Sequence, residues 1–240
     1  MITSFPELIP VFTEYEALVK QADTAFSRVA SMYSECIACK SGCSDCCHAT
    51  FDLSLVEAMY LNAQFRKTFD FGPQRSAILE RASETDRHLT RLKRDYFRQL
   101  RDAKAAGPSP DVATEATSDA LQHILDSVSR VRIRCPLLDE NDHCALYDSR
   151  PITCRLYGIP SVIAGQTHVC GKTGFNPGQS YPTIKLDKIQ DRLDQLSQNI
   201  RDAVHSRFTE LHTVYVPVSM ALLTNYDNAY LGIGPAPRDA

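Results

Sequence analysis

The segment CIACKSGCSDCCH, residues 36–48, places five cysteines within twelve residues and decides how the rest of the chain is interpreted. Four more cysteines follow downstream, which makes nine in a chain of 240 residues. Thiols at this density serve metal ligation, redox exchange or an extracellular disulfide framework. The nine candidate ligands are Cys36, Cys39, Cys43, Cys46, Cys47, Cys135, Cys144, Cys154 and Cys170.

The amino-terminal segment argues against the disulfide framework. Residues 1–20 have neither a cationic start nor a long apolar run, so they do not resemble a secretory signal. No stretch approaches the roughly 18 apolar residues of a membrane span. An odd number of cysteines also cannot pair completely within one chain. We therefore expect a cytoplasmic protein with reduced thiols and no membrane partner.

The net charge indicates which partners to expect, and the chain length indicates whether folding needs the cysteines. The net charge of -3 and the isoelectric point near 6.2 show no basic excess, so we expect no nucleic-acid partner. Basic residues of the 87–104 segment alternate with acidic ones and indicate a solvated helix face, although a protein partner remains open. A chain of 240 residues can bury a core without staples. Stability therefore does not require the cysteines.

Apolar residues at three- and four-residue steps predict several amphipathic helices. One stripe runs through residues 11–33 and leads directly into the cysteine run. A second helix follows Ser54, whose spacing to Glu57 is that of a capping box. Residues 74–130 carry two more stripes separated by a break rich in glycine and proline, which predicts a helical hairpin.

The remaining pattern completes a mainly α fold. We expect a short strand at residues 181–185 and a C-terminal helix at residues 186–212. The predicted fold class is a helical domain with cysteine-rich metal-binding loops and a long helical hairpin insertion. Residues 1–232 are predicted to form this single domain, and residues 233–240 a disordered tail.

Tight spacing within the first block favours metal over redox exchange. Cys36-x2-Cys39 and Cys43-x2-Cys46 each form a short turn that can aim two sulfurs at one point. A thioredoxin-like redox pair would open a helix in a βαβ unit, and the pattern shows none. Cys47 directly follows Cys46, so its side chain is expected to bridge, to support or to serve a second site, or else to be a small buried apolar group. Residues 36–48 are therefore the first predicted metal loop.

The second block has longer spacings, Cys135-x8-Cys144-x9-Cys154-x15-Cys170. Such spacings suit ligands that arrive on successive loops, so residues 135–170 are the second predicted metal region. Nine thiols exceed one tetrahedral site and nearly fill two. A shared site requires the fold to bring both blocks together across the hairpin.

Polar neighbours of the cysteines add candidate partners. Three histidines lie within two residues of a cysteine and are candidate extra ligands or hydrogen-bond donors to ligands, with a solvated loop histidine as the alternative. Three arginines flank the second block and would offset thiolate charge, with ordinary surface arginine as the alternative. These residues are His48, His143, His168, Arg134, Arg150 and Arg155.

Two further motif matches are set aside. Cys39-x3-Cys43-x2-Cys46 has the spacing of radical S-adenosylmethionine enzymes, but that motif follows a barrel strand and here a helix is predicted. Gly171-Lys172-Thr173 resembles the end of a phosphate loop but lacks the required preceding glycine.

Taken together, these residues resemble the YkgJ-type cysteine-cluster proteins, a zinc- or iron-chelating family. The resemblance covers roughly residues 36–170, with one departure: the gap between Cys39 and Cys43 is one residue longer here and Cys36 is additional. The matching residues are Cys39, Cys43, Cys46-Cys47, Cys135-Pro136-Leu137-Leu138, Cys144-x2-Tyr147, Arg150-Pro151 and Cys154-Arg155-x-Tyr157.

The resemblance implies a metal centre, with zinc and an iron–sulfur cluster both proposed for the family. The number of thiols and the Cys135-Pro136 step favour an iron–sulfur cluster over zinc. Some relatives are described as iron–sulfur oxidoreductases, and the domain resembles part of the flagellin lysine methylases. Three functions stay open: a metal-binding protein, an oxidoreductase or methylase-like enzyme, and an interaction protein with a structural zinc site. No catalytic residue is assigned.

Overall fold

The structure is a computed structural model that describes residues 5–40, 42–105, 131–163, 165–176 and 178–234. Helices dominate this part of the chain, which confirms the mainly α prediction. None of the helices described here has the length and apolar character needed to cross a bilayer. The helices are α1 Ile9–Met32, α2 Leu55–Thr68, α3 Pro73–Ala105, α4 Ile152–Leu156, α5 Leu186–Ala203 and α6 Val218–Leu223.

Short 3-10 helices and two small sheets connect the α-helices. The 3-10 turns lie at Pro6–Leu8, Ser34–Cys36, Asp45–His48, Tyr147–Ser149 and Leu211–Thr213. The first sheet pairs β1 and β5 antiparallel, with Leu53 opposite Val216. In the second sheet β2 lies between β3, which is antiparallel, and β4, which is parallel. The strands are β1 Asp52–Ser54, β2 Ser161–Ile163, β3 Gln166–His168, β4 Ile184–Lys185 and β5 Tyr215–Pro217.

The core forms where α2 packs against α1, α5 and α6. The stripe of α1 is buried as its periodicity predicts, and Tyr15 is only 1 % exposed. Helix α2 is buried on most of its surface, which is typical of a central helix. Its buried Asn62 donates from Nδ2 to the carbonyls of Ala221, Leu222 and Thr224 at the end of α6, whereas its Oδ1 has no hydrogen-bond partner among the described residues.

A buried carboxylate connects this core to the second cysteine block. Ser54 Oγ donates to Glu57 Oε2 at 3.3 Å, and the N–H of Ile152 donates to Glu57 Oε1 at 3.0 Å. Burial raises the pKa of Glu57. Ser54 is the N-cap of α2 but makes no side-chain capping hydrogen bond there, because its Oγ donates to Glu57 instead. Glu57 in turn holds the first turn of α4, which carries Cys154.

Several predicted boundaries differ from the structure. The predicted first arm of the hairpin corresponds to α3, whereas the predicted second arm falls largely in residues 106–130, outside the described residues, so the hairpin itself stays a prediction. The C-terminal helix ends at Ala203 and not at residue 212, because His205 adopts a left-handed φ of 49° that no α-helix accommodates. The predicted 181–185 strand is shorter and begins at Ile184.

The predicted tail also begins later than residue 233. The N–H of Ile233 donates to the carbonyl of Asn228 at 2.8 Å, so this residue belongs to the folded part. Residues 235–240 lie outside the described residues. The assignment of residues 1–232 to one domain stays a prediction.

Candidate metal centre

Backbone hydrogen bonds join the two cysteine blocks. The N–H of Cys135 donates to the carbonyl of Cys47 at 2.7 Å, and the N–H of Ile133 donates to the carbonyl of His48 at 3.0 Å. The fold thus brings together two segments that α3 and residues 106–130 separate in the sequence. This is the proximity that a shared site requires.

Five of the nine thiols lie on one cavity and are called here the five-thiol group. They come from three local structures: the 3-10 helix at Asp45–His48, the turn that follows Ile133, and α4. The group consists of Cys46, Cys47, Cys135, Cys144 and Cys154.

A tight turn positions the two middle members of the group. Asp139 Oδ1 accepts the N–H groups of Asn141 and His143 at 2.9 Å and 2.8 Å, and Asp142 has a left-handed φ of 61°. Aspartate and asparagine favour such turns because their short side chains bond the local backbone. The turn folds the chain back, so that the N–H of Ala145 donates to the carbonyl of Leu137 at 2.8 Å. Cys135 and Cys144 therefore face the same cavity.

Ionisation differs sharply across the five-thiol group. The Sγ atoms of Cys46 and Cys47 lie 3.9 Å apart, where either thiol can donate. With Cys47 as the donor, this hydrogen bond lowers the pKa of Cys46 to about 7. The same pair raises the pKa of Cys47. Burial raises the pKa of Cys135 to about 12 and also raises the pKa of Cys144 and Cys154. Without a cation, Cys46 is therefore the member of the group whose thiol ionises at the lowest pH.

A second group forms at the edge of the first and is called here the Cys39 group. Burial raises the pKa of Cys39 to about 11, and the charges of Cys43 and Cys170 contribute to the increase. Cys170 Sγ donates to Asp45 Oδ2 at 3.3 Å, and Arg132 pairs with the other oxygen of Asp45 at 2.8 Å. The Cys39 group thus consists of Cys39, Cys43 and Cys170, and Asp45 contacts it through Cys170.

Cys36 stands apart from both groups. It is buried, its Sγ lies 3.9 Å from Glu35 Oε1, and its carbonyl accepts the N–H of Gly174 at 2.9 Å. Burial and Glu35 raise its pKa, and no other cysteine contributes to that shift among the described residues. The structure thus places Cys39 near other thiols and Cys36 away from them.

Local hydrogen bonds or solvent account for the three histidines. His48 Nδ1 lies 3.0 Å from the carbonyl oxygen of Ser44, and His143 Nδ1 lies 3.9 Å from Asp139 Oδ2. His168 is exposed on β3. None of the three lines the cavity of the five-thiol group. Their positions agree with the ordinary alternative for each.

Two of the three flanking arginines lie beside the thiols. Arg150 lines the cavity, and its guanidinium carbon lies 3.5 Å from the centre of the Tyr147 ring. Arg134 also lines the cavity and pairs with Asp142 at 2.5 Å. Arg155 points elsewhere, because its buried side chain pairs with Asp23 on α1 at 2.8 Å. The cationic compensation predicted from the sequence is thus available from Arg150 and Arg134.

Sequence reasoning missed two residues of this region. Cys39 Sγ packs so closely on Gly158 that a Cβ at position 158 would collide with it. Asp45, the partner of Cys170, sits between Cys43 and Cys46 in the sequence, and a carboxylate inside a cysteine run was the signal for it. The contact at Gly158 has no local sequence signal because it depends on tertiary packing.

The cysteine side chains do not converge on one point that could hold a metal ion. Within the described ranges, no group of three or more His, Cys, Asp or Glu side chains is arranged so that it could hold a metal ion. The thiols instead hydrogen-bond to one another and to Asp45, and all nine cysteines are free. The donor set still suits soft or borderline cations, since thiolates are the preferred ligands of zinc and of iron–sulfur clusters.

Comparisons of the chain with protein-family models, with curated proteins and with solved structures found no match. The resemblance to the YkgJ-type family therefore depends on the motif residues alone.

Proposed function

We propose that the chain is a cysteine-ligated metal-binding protein of the zinc- or iron-chelating cysteine-cluster type, with its centre on the five-thiol group. The observation that carries the proposal is the shared cavity wall, where thiols from three separate chain segments meet. Thiols at this density have little structural purpose in a chain whose core is already built from apolar helices. Arg150 and Arg134 would offset the negative charge of a centre with four thiolates.

Ligation would require side-chain rotation and loss of protons. The backbone of the group is held by the hydrogen bonds of Cys47, Ile133 and Ala145, so rotation about Cα–Cβ bonds is the main change needed. The raised pKa values of Cys135, Cys144 and Cys154 mean that a cation must displace their protons. Metal affinity is therefore expected to rise with pH. Reduced thiols of this kind agree with the expected cytoplasmic location.

An iron–sulfur cluster and zinc supply different chemistry to the same residues. A cluster bound here would supply electron transfer, whereas zinc would tie the two blocks together or act as a Lewis acid. A tetrahedral zinc ion and an iron–sulfur cluster each take four cysteine ligands, so the five thiols suffice for either. The cavity beside the thiols favours an enzyme as a second candidate, since a structural site is normally closed by protein ligands.

Purification without oxygen, followed by elemental and sulfide analysis, tests the proposal. A brown protein with iron and acid-labile sulfide supports the cluster, and a colourless protein with stoichiometric zinc supports the zinc site. A protein that contains neither metal, and that takes up neither when thiols are kept reduced, would overturn the proposal.

A further inference from the structure

Cys46 and Cys47 form a close pair of thiols on one short turn. They are the middle residues of the 3-10 helix Asp45–His48, and their Sγ atoms lie 3.9 Å apart. Neighbouring residues usually direct their side chains apart, so the sequence alone favoured separate roles for these two cysteines. In the structure their sulfurs are instead close enough to bind one atom together.

The backbone around this pair is fixed by both cysteine blocks. The N–H of Cys47 donates to the carbonyl of Ser44 at 3.0 Å, and its own carbonyl accepts the N–H of Cys135 at 2.7 Å. The carbonyl of His48 accepts the N–H of Ile133 at 3.0 Å. A ligand that bridges the two sulfurs therefore has to order little beyond their side-chain torsions, and such preorganisation favours chelation.

The gap between the two sulfurs suits an intervening atom better than a disulfide. A disulfide has an S–S bond of about 2.05 Å, so the two sulfurs would have to approach each other by about 2 Å. An atom bonded to both at about 2.3 Å, the length of a zinc–thiolate bond, keeps them more than about 3 Å apart at bond angles above about 90°. Bridging therefore requires the smaller movement.

The number of available donors decides which kind of atom fits. A tetrahedral divalent ion takes four ligands, and within the described residues no set of three or more candidate side chains converges. A linear two-coordinate ion needs its sulfurs on opposite sides, which two neighbours on one turn do not provide. Trivalent arsenic is soft enough for thiolates and binds two or three of them in a pyramid, all on one side of the atom. This arrangement matches a pair of adjacent sulfurs.

Cys135 is the thiol best placed to complete the pyramid. Its backbone is hydrogen-bonded directly to that of Cys47, and its side chain lines the same cavity of about 750 Å³ as the pair. Since three donors do not yet converge, its side chain has to rotate about the Cα–Cβ bond. Cys46 and Cys47 are half-buried and line this cavity, so a small molecule can reach them.

We propose that Cys46 and Cys47 clamp a trivalent arsenic atom, delivered as arsenous acid, and that Cys135 supplies the third sulfur. Three S–H and three As–OH bonds break, and three As–S bonds and three water molecules form. Arsenic stays trivalent and each thiol proton leaves in water, so no electrons are transferred. The site needs neither zinc nor a cluster and therefore goes beyond the proposed metal function, although it uses the same thiols.

Phenylarsine oxide, which bonds two thiols, tests the clamp in the chelator-treated full chain without oxygen or added reductant. The first equivalent should protect Cys46 and Cys47 from alkylation, as measured by peptide mass spectrometry. Cys47→Ser should weaken binding at least about tenfold, because the second sulfur is lost. Cys43→Ser is the matched control, since Cys43 is also half-buried but lies outside the cavity lining. Equal loss in both variants, or no protection of Cys46 and Cys47 in the wild type, would overturn the proposal.

Arsenite and arsenate test the third sulfur and the oxidation state. Cys135→Ser should weaken arsenite at least about tenfold but phenylarsine oxide less than about threefold, because only arsenite uses three thiols. Equal effects on the two reagents would overturn the role of Cys135. Arsenate, in which arsenic is pentavalent, should not bind, and binding as tight as that of arsenite would overturn the trivalent class.

Metal loading separates this site from the proposed metal function. Protein that holds zinc or a cluster on the five-thiol group should bind arsenite at least about tenfold more weakly, because the thiols are occupied. Undiminished binding would place the arsenic elsewhere and overturn the site. Failure of the metal assay with intact arsenite binding would remove the metal function and leave this site. Metal binding without arsenite binding by the metal-free chain would overturn this site alone.

Discussion

The N–H of Cys135 lies 2.7 Å from the carbonyl oxygen of Cys47, and this contact joins the two cysteine blocks through their backbones. A backbone hydrogen bond does not depend on the state of the thiols. The blocks are therefore held together by the protein itself and not only by a shared cation. Glu57 contributes from the other side, because it anchors the N–H of Ile152 at the start of α4. A centre on the five-thiol group would thus form on a scaffold that is already folded.

Removing single thiols should distinguish the cysteines that bind metal from those that do not. Cys154→Ala is expected to lower metal affinity at least about tenfold, because it deletes a donor of the five-thiol group. Cys36→Ala is the matched control, since Cys36 is also buried but lies away from the other thiols. Elemental analysis after purification without oxygen measures both. Equal metal loss in the two variants would contradict the division of the cysteines described above.

The pair Cys46 and Cys47 predicts a reactive thiolate in chelator-treated protein. Because Cys47 donates to Cys46, the alkylation rate of Cys46 should rise with pH around a midpoint of about 7. In Cys47→Ala the donor is lost, so the midpoint should move upward towards the ordinary thiol value of 9.0. Cys47→Ser keeps a donor and should retain a low midpoint. Peptide mass spectrometry after timed alkylation measures the rate, and a wild-type midpoint as high as that of Cys47→Ala would refute the hydrogen bond.

The buried carboxyl of Glu57 predicts that its contribution to the free energy of unfolding falls as the pH rises. Burial raises its pKa in the folded state above the ordinary 4.5, so the folded state holds the proton more tightly than the unfolded state. The resulting stabilisation is present below the unfolded pKa and is lost as pH rises through the raised folded pKa. As the pH rises from about 4.5 through the raised folded pKa, the wild type should therefore lose free energy of unfolding relative to Glu57→Gln, by about 1.4 kcal/mol for each unit of pKa increase.

Urea denaturation at several pH values measures this difference. Glu84→Gln serves as the control, since Glu84 is exposed on α3 and its removal should leave the pH profile unchanged. A constant difference between wild type and Glu57→Gln across the range would show that the buried carboxyl does not bind its proton more tightly in the folded state.

Periodicity predicted the helices well because burial follows the same geometry. The stripe of α1 became its buried face, and the early residues of the C-terminal pattern became α5. The end of α5 escaped prediction because apolar residues continue in step to Leu211, which is buried in a separate 3-10 turn after the left-handed His205. Sequence spacing cannot distinguish one buried apolar residue in a helix from another in a turn.

The sequence predicted which cysteines are candidates for the site, but it did not predict how they divide into separate groups. Spacing placed all nine cysteines in two loops, and the loops do meet. Which thiol joins which group depends on tertiary contacts, such as Cys39 against Gly158 and Cys36 beside Gly174. Arg155 illustrates the same limit, because its sequence position beside Cys154 suggested a role at the thiols, whereas its side chain pairs with α1.

The pairing of Arg155 with Asp23 predicts a structural role for this arginine. Its Nη1 donates to both carboxylate oxygens of Asp23 at 3.0 Å and 2.8 Å, and Nε donates to the carbonyl of Arg150 at 2.8 Å. Nη2 also bonds the carbonyl of Asp148. Since the side chain is only 8 % exposed, Arg155→Ala should lower the free energy of unfolding by about 2 kcal/mol or more. Arg155→Lys should recover only part of this, because an ammonium group lacks the planar fork that serves several acceptors at once.

Two controls test this prediction: one removes an exposed ion pair, and the other changes Asp23, the partner of Arg155. Arg94→Ala removes an exposed pair with Asp95 and should change stability by less than about 0.5 kcal/mol. Asp23→Asn should cost only about 1 kcal/mol, because Arg155 keeps its two carbonyl acceptors. Urea denaturation of the metal-free protein gives all four values. If Arg155→Ala cost no more than Arg94→Ala, α4 and its Cys154 would be held in place by Glu57 and the apolar core alone, without a contribution from α1 through this ion pair.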